Sequence, residues 1–242
     1  MKRILGVLLL VGMMVTPTIA SAGEQIGVYV APKFVYGLTQ MDSAKQSWTD
    51  SASGDSGTER IGSKTDDTFG GSLAIGYDFD KKFGVPIRAE VEYAAFSEAE
   101  TKRSYSDIGE RITMKQKFNI QTLFLNAYWD IDTGTQFTPY IGGGIGMGFI
   151  RTKGSERGYV EADPSDNWSY GTGSKNVTNF AWNVGAGLGY DITENWTIDA
   201  GYRFVGLGSV KTKTASDEDG TMKAKTDNLY QHQFAVGIRY TF

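Results

Sequence analysis

Cysteine is absent from the 242-residue sequence, and histidine occurs only once, at His232. Because there is no cysteine, the fold has no disulfide bonds, and a lipid anchor attached through cysteine is excluded. Any chemistry that depends on histidine is restricted to a single position. The folded state must therefore be stabilised by packing and hydrogen bonding alone.

An excess of positive charge is also absent. The formal net charge is −4, and removing Lys2 and Arg3 with the N-terminal segment described below leaves −6. A surface that binds nucleic acid needs a basic patch, so this balance argues against nucleic acid as a partner. Beyond that segment, no apolar run approaches the roughly 20 residues that a membrane-spanning helix needs. A membrane location would require a closed β-barrel, because lipid does not tolerate open sheet edges.

The sequence begins with the features of a secretory signal. Lys2 and Arg3 precede an apolar run from Ile4 to Val15, and Ala20-Ser21-Ala22 follows. A charged start, a short apolar core and an A-x-A site are typical of a signal peptide. We predict cleavage after Ala22, so that residues 1–22 are the signal peptide and residues 23–242 form one exported domain.

The rest of the sequence alternates between apolar and polar residues with a period of two. In the last segment, Phe234, Val236, Ile238, Tyr240 and Phe242 alternate with polar or small residues. This period predicts a β-strand with one apolar face. Eight segments are predicted as strands: Ile26–Leu38, Thr68–Phe79, Val85–Ser97, a fourth that ends at Asp130, Phe137–Ile150, a sixth from Phe180 to Tyr190, Trp196–Phe204 and Tyr230–Phe242.

The connections between these strands alternate in length. Four long polar stretches are predicted as loops: Thr39–Asp67, Glu98–Lys115, Arg151–Asn176 and Ser209–Asn228. Three short turns lie between them: Asp80–Lys82, Asp132–Gln136 and Thr193–Asn195. This asymmetry predicts antiparallel strands with both termini on the short-turn side. Phe118 and Ile120 are out of phase with the end of the fourth strand, so we predict a β-bulge near them.

The two faces of the predicted barrel differ in chemistry. The inward phase carries charged residues that we expect to pair structurally across the lumen: Arg88, Glu90, Glu92, Asp199, Arg203 and Arg239. The outward phase places aromatic residues near the short turns, where they suit a bilayer interface: Tyr77, Trp129, Tyr190, Trp196 and Tyr240. A soluble barrel that holds a small ligand would instead have an apolar interior. Glu90 and Glu92 also suit acid–base chemistry, but structural pairing is the favoured interpretation.

These features resemble the small OmpA-like, opacity-porin type of bacterial outer-membrane barrel. The resemblance rests on the signal peptide, on Arg88–Tyr93, on Asn126–Asp130 and on a last strand that ends at Phe242, and it covers essentially all of the mature chain. It implies an all-β, eight-stranded antiparallel up-and-down transmembrane β-barrel in the cell outer membrane. It also implies contact with outer-membrane lipid and lipopolysaccharide, and recognition of Phe242 by the barrel-assembly machinery. No appended peptidoglycan-binding domain is expected.

Three functions follow as hypotheses. The first is a structural and surface-interaction role, in which the four long loops contact extracellular or host ligands. The second is a narrow, porin-like diffusion channel, although an eight-stranded barrel has an interior only just wide enough for side chains. The third is a lipid-modifying enzyme, for which His232 is a weak candidate, because no serine follows two residues later and its phase faces lipid.

No catalytic residue, cofactor or metal site is predicted. Loop carboxylates such as Asp66 and Asp217 lack the spacing of a calcium-binding loop. The glycines of Gly142–Gly148 follow the period of a strand, and the lysine of a phosphate-binding loop does not follow them.

Overall fold

The computed structural model describes residues 26–50, 54–107, 110–160, 167–211, 215–216 and 220–242, and the predicted signal peptide with its cleavage site lies outside them. The described residues form one short helix, α1 (Asp80–Phe83), and one sheet. Its strands are β1 (Val28–Asp50), β2 (Ser56–Asp78), β3 (Ile87–Phe96), β4 (Ala99–Asp107), β5 (Glu110–Asp130), β6 (Phe137–Val160), β7 (Trp168–Asp191), β8 (Trp196–Gly206), β9 (Val210–Lys211), β10 (Ala215–Ser216) and β11 (Gly220–Thr241).

The sheet closes on itself to form a barrel. β1 pairs with both β2 and β11, and every pairing between neighbours is antiparallel. The strands occupy eight positions, because β3 and β4 follow one another along β5, while β8, β9 and β10 follow one another along β11. The prediction of an eight-stranded antiparallel up-and-down barrel is confirmed.

The four long polar stretches are largely strand, so their prediction as loops was wrong. β1 and β2 remain paired as far as Thr49 and Ser56, and β5 and β6 as far as Glu110 and Val160. Alternating apolar residues identify the part of a strand that contacts lipid or the core. Backbone hydrogen bonds between strands do not require apolar side chains, so the strands stay paired where the alternation ends. We call the end of the barrel with these extensions the hairpin end, and the opposite end the short-turn end.

At the hairpin end, strand pairing is interrupted at two seams, which separate two groups of strands within the one sheet. One contains β2, β1 and β11 with β9 and β10, and the other contains β4, β5, β6 and β7. β2 pairs with β3 only as far as Gly70 and Phe96, and β7 pairs with β8 only as far as Trp182 and Gly206. The Asn179 side chain bridges the second seam, because it donates to the carbonyl oxygens of Leu207 and Ser209, both at 2.8 Å.

The β-bulge predicted in the fourth strand near Phe118 and Ile120 lies instead in the adjacent strand, because Ala95 pairs with Gln121 whereas Ala99 pairs with Phe118, which leaves one extra residue between β3 and β4. β5 pairs with β6 from Glu110 to Asp130 without a shift of register. Phe118, Ile120 and Phe124 are each 1% exposed and lie in the barrel interior. The apolar residues change face along β5 because the interior itself changes from polar to apolar, while the strand remains regular.

The first short turn contains helix α1, where the sequence predicted only a turn. Gly84 ends the helix with a left-handed backbone (φ +63°), and its N–H donates to the Asp80 carbonyl oxygen at 3.0 Å. Among the residues that the structure describes, no helix is long and apolar enough to cross a membrane.

Replacing Gly146 with alanine is expected to destabilise the barrel by about 1–3 kcal/mol, the usual cost of overpacking. A Cβ atom at this position would clash with the carbonyl oxygen of Leu123 on the adjacent strand. Gly71→Ala is the matched control, since its Cβ would meet only the Lys33 carbonyl oxygen, at 3.8 Å. Urea titration of the refolded proteins measures the difference, and equal midpoints would contradict the prediction.

Candidate functional site

The part of the interior nearer the short-turn end holds an ion-pair network centred on β3. The alternation of β3 turns Arg88, Glu90 and Glu92 inward, and all three are at most 3% exposed. The Lys33 ammonium group contacts Glu90 at 3.0 Å and Glu92 at 2.9 Å. Arg203 contacts the other oxygen of Glu92 at 2.5 Å. Glu92 therefore links two cations that come from different walls of the barrel.

A second set of pairs lies closer to the short turns. Arg88 donates to both carboxylate oxygens of Asp130, at 2.5 and 2.8 Å, which is the bidentate geometry that favours arginine. The Arg88 guanidinium also lies over the rings of Tyr128 and Tyr140, at 5.2 and 4.9 Å from their centroids. Arg239 lies 3.5 Å from Asp199.

The structure brings all six predicted interior residues into the lumen, but they do not pair only with one another. Lys33 and Asp130 were missing from the predicted set, although both fall on the inward phase. Their position on the inward phase was the sequence feature that could have identified them as interior residues. Pairing across the lumen also depends on which strands face each other, and alternation within one strand does not contain that information.

Uncharged polar side chains continue the network toward the hairpin end. Gln233 accepts a hydrogen bond from Arg203 at 2.5 Å and donates to Gln231 at 2.6 Å. Gln231 in turn donates to Thr68 at 3.0 Å and to Thr39 at 3.2 Å, and both glutamines are fully buried. This chain satisfies buried polar groups that would otherwise be costly.

An apolar layer fills the interior beside the glutamine chain, since Val205 pairs with Gln231 and Phe124 pairs with Glu92. It is formed by fourteen buried side chains: Val35, Met41, Ala94, Phe96, Ala99, Phe118, Ile120, Phe124, Ile150, Ala181, Val205, Leu207, Val210 and Leu229. Sequence reasoning missed this layer, because it expected a polar interior. A cavity of about 40 Å³ lies within the ion-pair network beside Lys33, Glu92 and Arg203. It has room for about three water molecules.

The outer surface carries aromatic side chains near both ends of an apolar band. At the short-turn end, Trp129 is 57% exposed, and Trp196 and Tyr240 pack with ring centroids 4.7 Å apart. The other two predicted interface aromatics pack in the same way: Tyr77 lies 4.9 Å from Phe79, and Tyr190 lies 4.9 Å from Phe137. A second group toward the hairpin end was not predicted and includes Tyr36, Phe69, Trp182, Phe204 and Tyr230.

His232 lies on the outer surface within the second aromatic group. Its Nδ1 atom is 2.9 Å from the Tyr202 hydroxyl, and its ring centroid is 5.2 Å from that of Phe204. Within the described part of the chain, no group of three or more histidine, aspartate or glutamate side chains is placed to hold a metal ion.

Comparison with known proteins identifies relatives over nearly the whole chain. "Outer membrane protein PagN" of Salmonella typhimurium is 30% identical over 236 residues, covering 92% of this chain and 93% of PagN. "Putative adhesin RC1281" of Rickettsia conorii is 23% identical over 177 residues, covering 73% of this chain and 69% of that protein. Among solved structures, the outer membrane protein OprG of Pseudomonas aeruginosa aligns with a TM-score of 0.49 at 16% identity, over 91% of this chain and 98% of OprG.

The family assignment rests on a match that runs from the predicted signal peptide to the last strand. Residues 6–242 match the family described as "Outer membrane protein beta-barrel domain". The resemblance noted in the sequence is therefore confirmed at the level of the family and of the outer-membrane location. The protein belongs to the outer membrane protein β-barrel domain family.

Proposed function

We propose that the protein is a non-enzymatic surface-interaction protein that contacts other cells or extracellular ligands through its hairpins. The observation that carries this proposal is that the four polar extensions are paired β-hairpins, which extend the barrel wall. Ordered strands hold side chains in fixed positions, which lowers the entropy lost when a ligand binds. The name of the Rickettsia conorii relative agrees with an adhesive role.

A diffusion channel is disfavoured by the contents of the barrel. The described interior contains the ion-pair network, the glutamine chain and the apolar layer, and the apolar layer lies beside the glutamine chain and extends toward the hairpin end. An apolar constriction excludes water and ions even where its radius would admit them. The hairpins are consequently the favoured location of function.

An enzymatic role is disfavoured by the surroundings of the candidate groups. His232 contacts Tyr202 and Phe204 on the outer surface, and neither group activates a histidine as a base. Glu90 and Glu92 share the Lys33 ammonium group inside the barrel, so both are engaged in structural pairs.

The remaining partners are inferred from the fold. Phe242 is 49% exposed, and its N–H donates to the Val28 carbonyl oxygen at 2.9 Å, so the last residue is held at the seam that closes the barrel. Recognition of this residue by the barrel-assembly machinery remains a prediction. Contact with lipid follows from the outward apolar band, which an outer-membrane location exposes to acyl chains.

Expression of the protein in the outer membrane of a non-adherent bacterium is expected to increase attachment to epithelial cells severalfold. Each hairpin is then shortened in turn at a paired position. For the first hairpin, Lys45 is joined to Arg60 by an Asn-Gly turn, which keeps the strand register. At least one shortened variant should lose attachment while its heat-modifiable gel mobility shows a folded barrel. If all four folded variants adhere like the full-length protein, the proposal is wrong.

A further inference from the structure

β4 forms one edge of the sheet at the hairpin end. It pairs with β5 over its full length, from Ala99 with Phe118 to Asp107 with Glu110, without a shift of register. Among the residues that the structure describes, no strand pairs with the other side of β4. A sheet edge of this kind presents unpaired N–H and C=O groups, which can pair with another chain.

One hydrogen bond shows which backbone groups of β4 point away from β5. The Glu100 N–H donates to the Asp66 carboxylate at 2.8 Å, across the seam between β2 and β4. The backbone groups of successive residues in an antiparallel strand point to alternate sides, so those of Lys102, Ser104 and Ser106 also face the seam. Asp66 therefore occupies the first position of this edge, and three further positions continue above it over about 14 Å.

The other strand edges at the hairpin end carry features that hinder strand addition. Register shifts interrupt the pairing of β7 with β6 between Thr152 and Gly154, and that of β2 with β1 between Met41 and Lys45. β9 and β10 contain only two residues each. Bulges and short edge strands are means by which proteins prevent edge pairing. β4 has neither, contains no proline and carries charges of both signs, so it is the edge best suited to an added strand.

The outward face beside this edge is positively charged. Two rows of paired residues cross it, and each begins with an exposed serine of β4: Ser104, Thr113, Arg157 and Ser169; and Ser106, Arg111 and Tyr159. The rows contain two arginines and no carboxylate, and Arg111 is exposed. A strand added beside β4 would lie about 10 Å from β5, which paired long side chains can span over the short Ser106 side chain. An acidic side chain opposite Ser106 would therefore complement Arg111.

We propose that the free edge of β4 binds an extended segment of another polypeptide, which adds to the sheet as a further strand. Backbone hydrogen bonds to Lys102, Ser104 and Ser106 hold the segment, and side chains at alternate positions give specificity. The segment presents glutamate or aspartate on the outward face, where Arg111 lies. This assignment rests on the proposed surface-interaction role and names the chemical class of its partner.

The test compares Ser104→Pro with Ser169→Pro. Proline removes the seam-facing N–H of Ser104, and its ring occupies the space of an added strand, but the pairing of β4 with β5 does not use that N–H. Ser169 is also an exposed serine, lies in the same row and belongs to β7 at the other edge of these strands. The probe is a fluorescent eight-residue peptide that alternates glutamate with valine, and fluorescence anisotropy measures its binding to the full-length protein in detergent micelles. Ser104→Pro should weaken binding at least about tenfold, whereas Ser169→Pro and Ser104→Ala should bind like the wild type.

The charge preference has its own variant. Arg111→Gln should weaken binding of the glutamate peptide about threefold, as expected for an exposed ion pair. A peptide with glutamine in place of glutamate should bind the wild type and Arg111→Gln equally. Arg157→Gln is the control, because Arg157 lies on β6, one strand farther from the edge.

Four results would overturn the assignment. The first is a folded wild-type protein that does not bind the peptide. The second is equal binding by Ser104→Pro and Ser169→Pro, which would show that the peptide does not use this edge. The third is an equal loss in Ser104→Ala and Ser104→Pro, which would assign the contact to the serine side chain. The fourth is a dimer of the wild type that Ser104→Pro dissociates, which would assign the edge to a second copy of this chain. Heat-modifiable gel mobility verifies that each variant is folded.

Failure of this assignment can be distinguished from failure of the proposed function. Peptide binding without attachment to epithelial cells would support the strand edge and contradict the adhesive role. Attachment that Ser104→Pro leaves unchanged would support the adhesive role and contradict the assignment of its partner to β4.

Discussion

Glu92→Gln is expected to lower the free energy of unfolding by about 3–5 kcal/mol, the cost of breaking a buried ion pair by removing one partner. Glu92 is 1% exposed and contacts both Lys33 and Arg203. Glutamine keeps the shape of the side chain but leaves both cations without this shared charge. Urea titration of the protein refolded into lipid vesicles, monitored by heat-modifiable gel mobility, measures the loss.

The matched control for this substitution is Glu100→Gln on β4. Hydrogen bonding from Lys115 lowers the pKa of Glu100, and the Glu100 side chain is 39% exposed. Water screens such an exposed pair, so the control should shift the urea midpoint much less than Glu92→Gln does. If both substitutions shift the urea midpoint equally, the interior network does not contribute to stability in the way proposed.

The second large effect concerns conductance. The folded wild-type protein is expected to show no discrete openings in planar bilayers, because the apolar layer excludes water from the lumen. Phe118→Ala/Phe124→Ala removes two fully buried rings from this layer. We expect this variant to conduct, since the apolar layer then loses two of its three phenylalanine rings and leaves space for water between the remaining side chains.

The result of the conductance experiment shows which part of the interior blocks the flow of ions. Openings of the wild-type protein would show that the filled interior rearranges in a bilayer, and the channel hypothesis would then replace surface interaction as the leading one. A silent double variant would place the barrier at Glu92 and Arg203 rather than at the aromatic rings. Ala89→Val, an outward-phase substitution on β3, is the control, because it leaves the interior unchanged.

The sequence by itself determined the architecture of the transmembrane part. A period of two identifies each strand, because successive side chains of a strand point to opposite faces. The alternation of short and long connections determined the number of strands and their antiparallel order, since short turns can join only adjacent antiparallel strands. The charged residues of β3 and the aromatic residues near Trp196 and Tyr240 could be assigned to opposite faces for the same reason.

Only the tertiary structure decided how the interior is filled and how far the strands extend. Lys33 and Glu92 are 59 residues apart in the sequence, and they meet because β1 pairs with β2 and β2 with β3 in one particular register. Phe118 and Ile120 became interior residues because side chains from several strands enclose them, which alternation along β5 does not reveal. The polar hairpins stay paired through backbone hydrogen bonds, which do not require an alternation of apolar and polar residues in the sequence. Local alternation determines which face a side chain occupies, whereas the closed barrel determines what that face contacts.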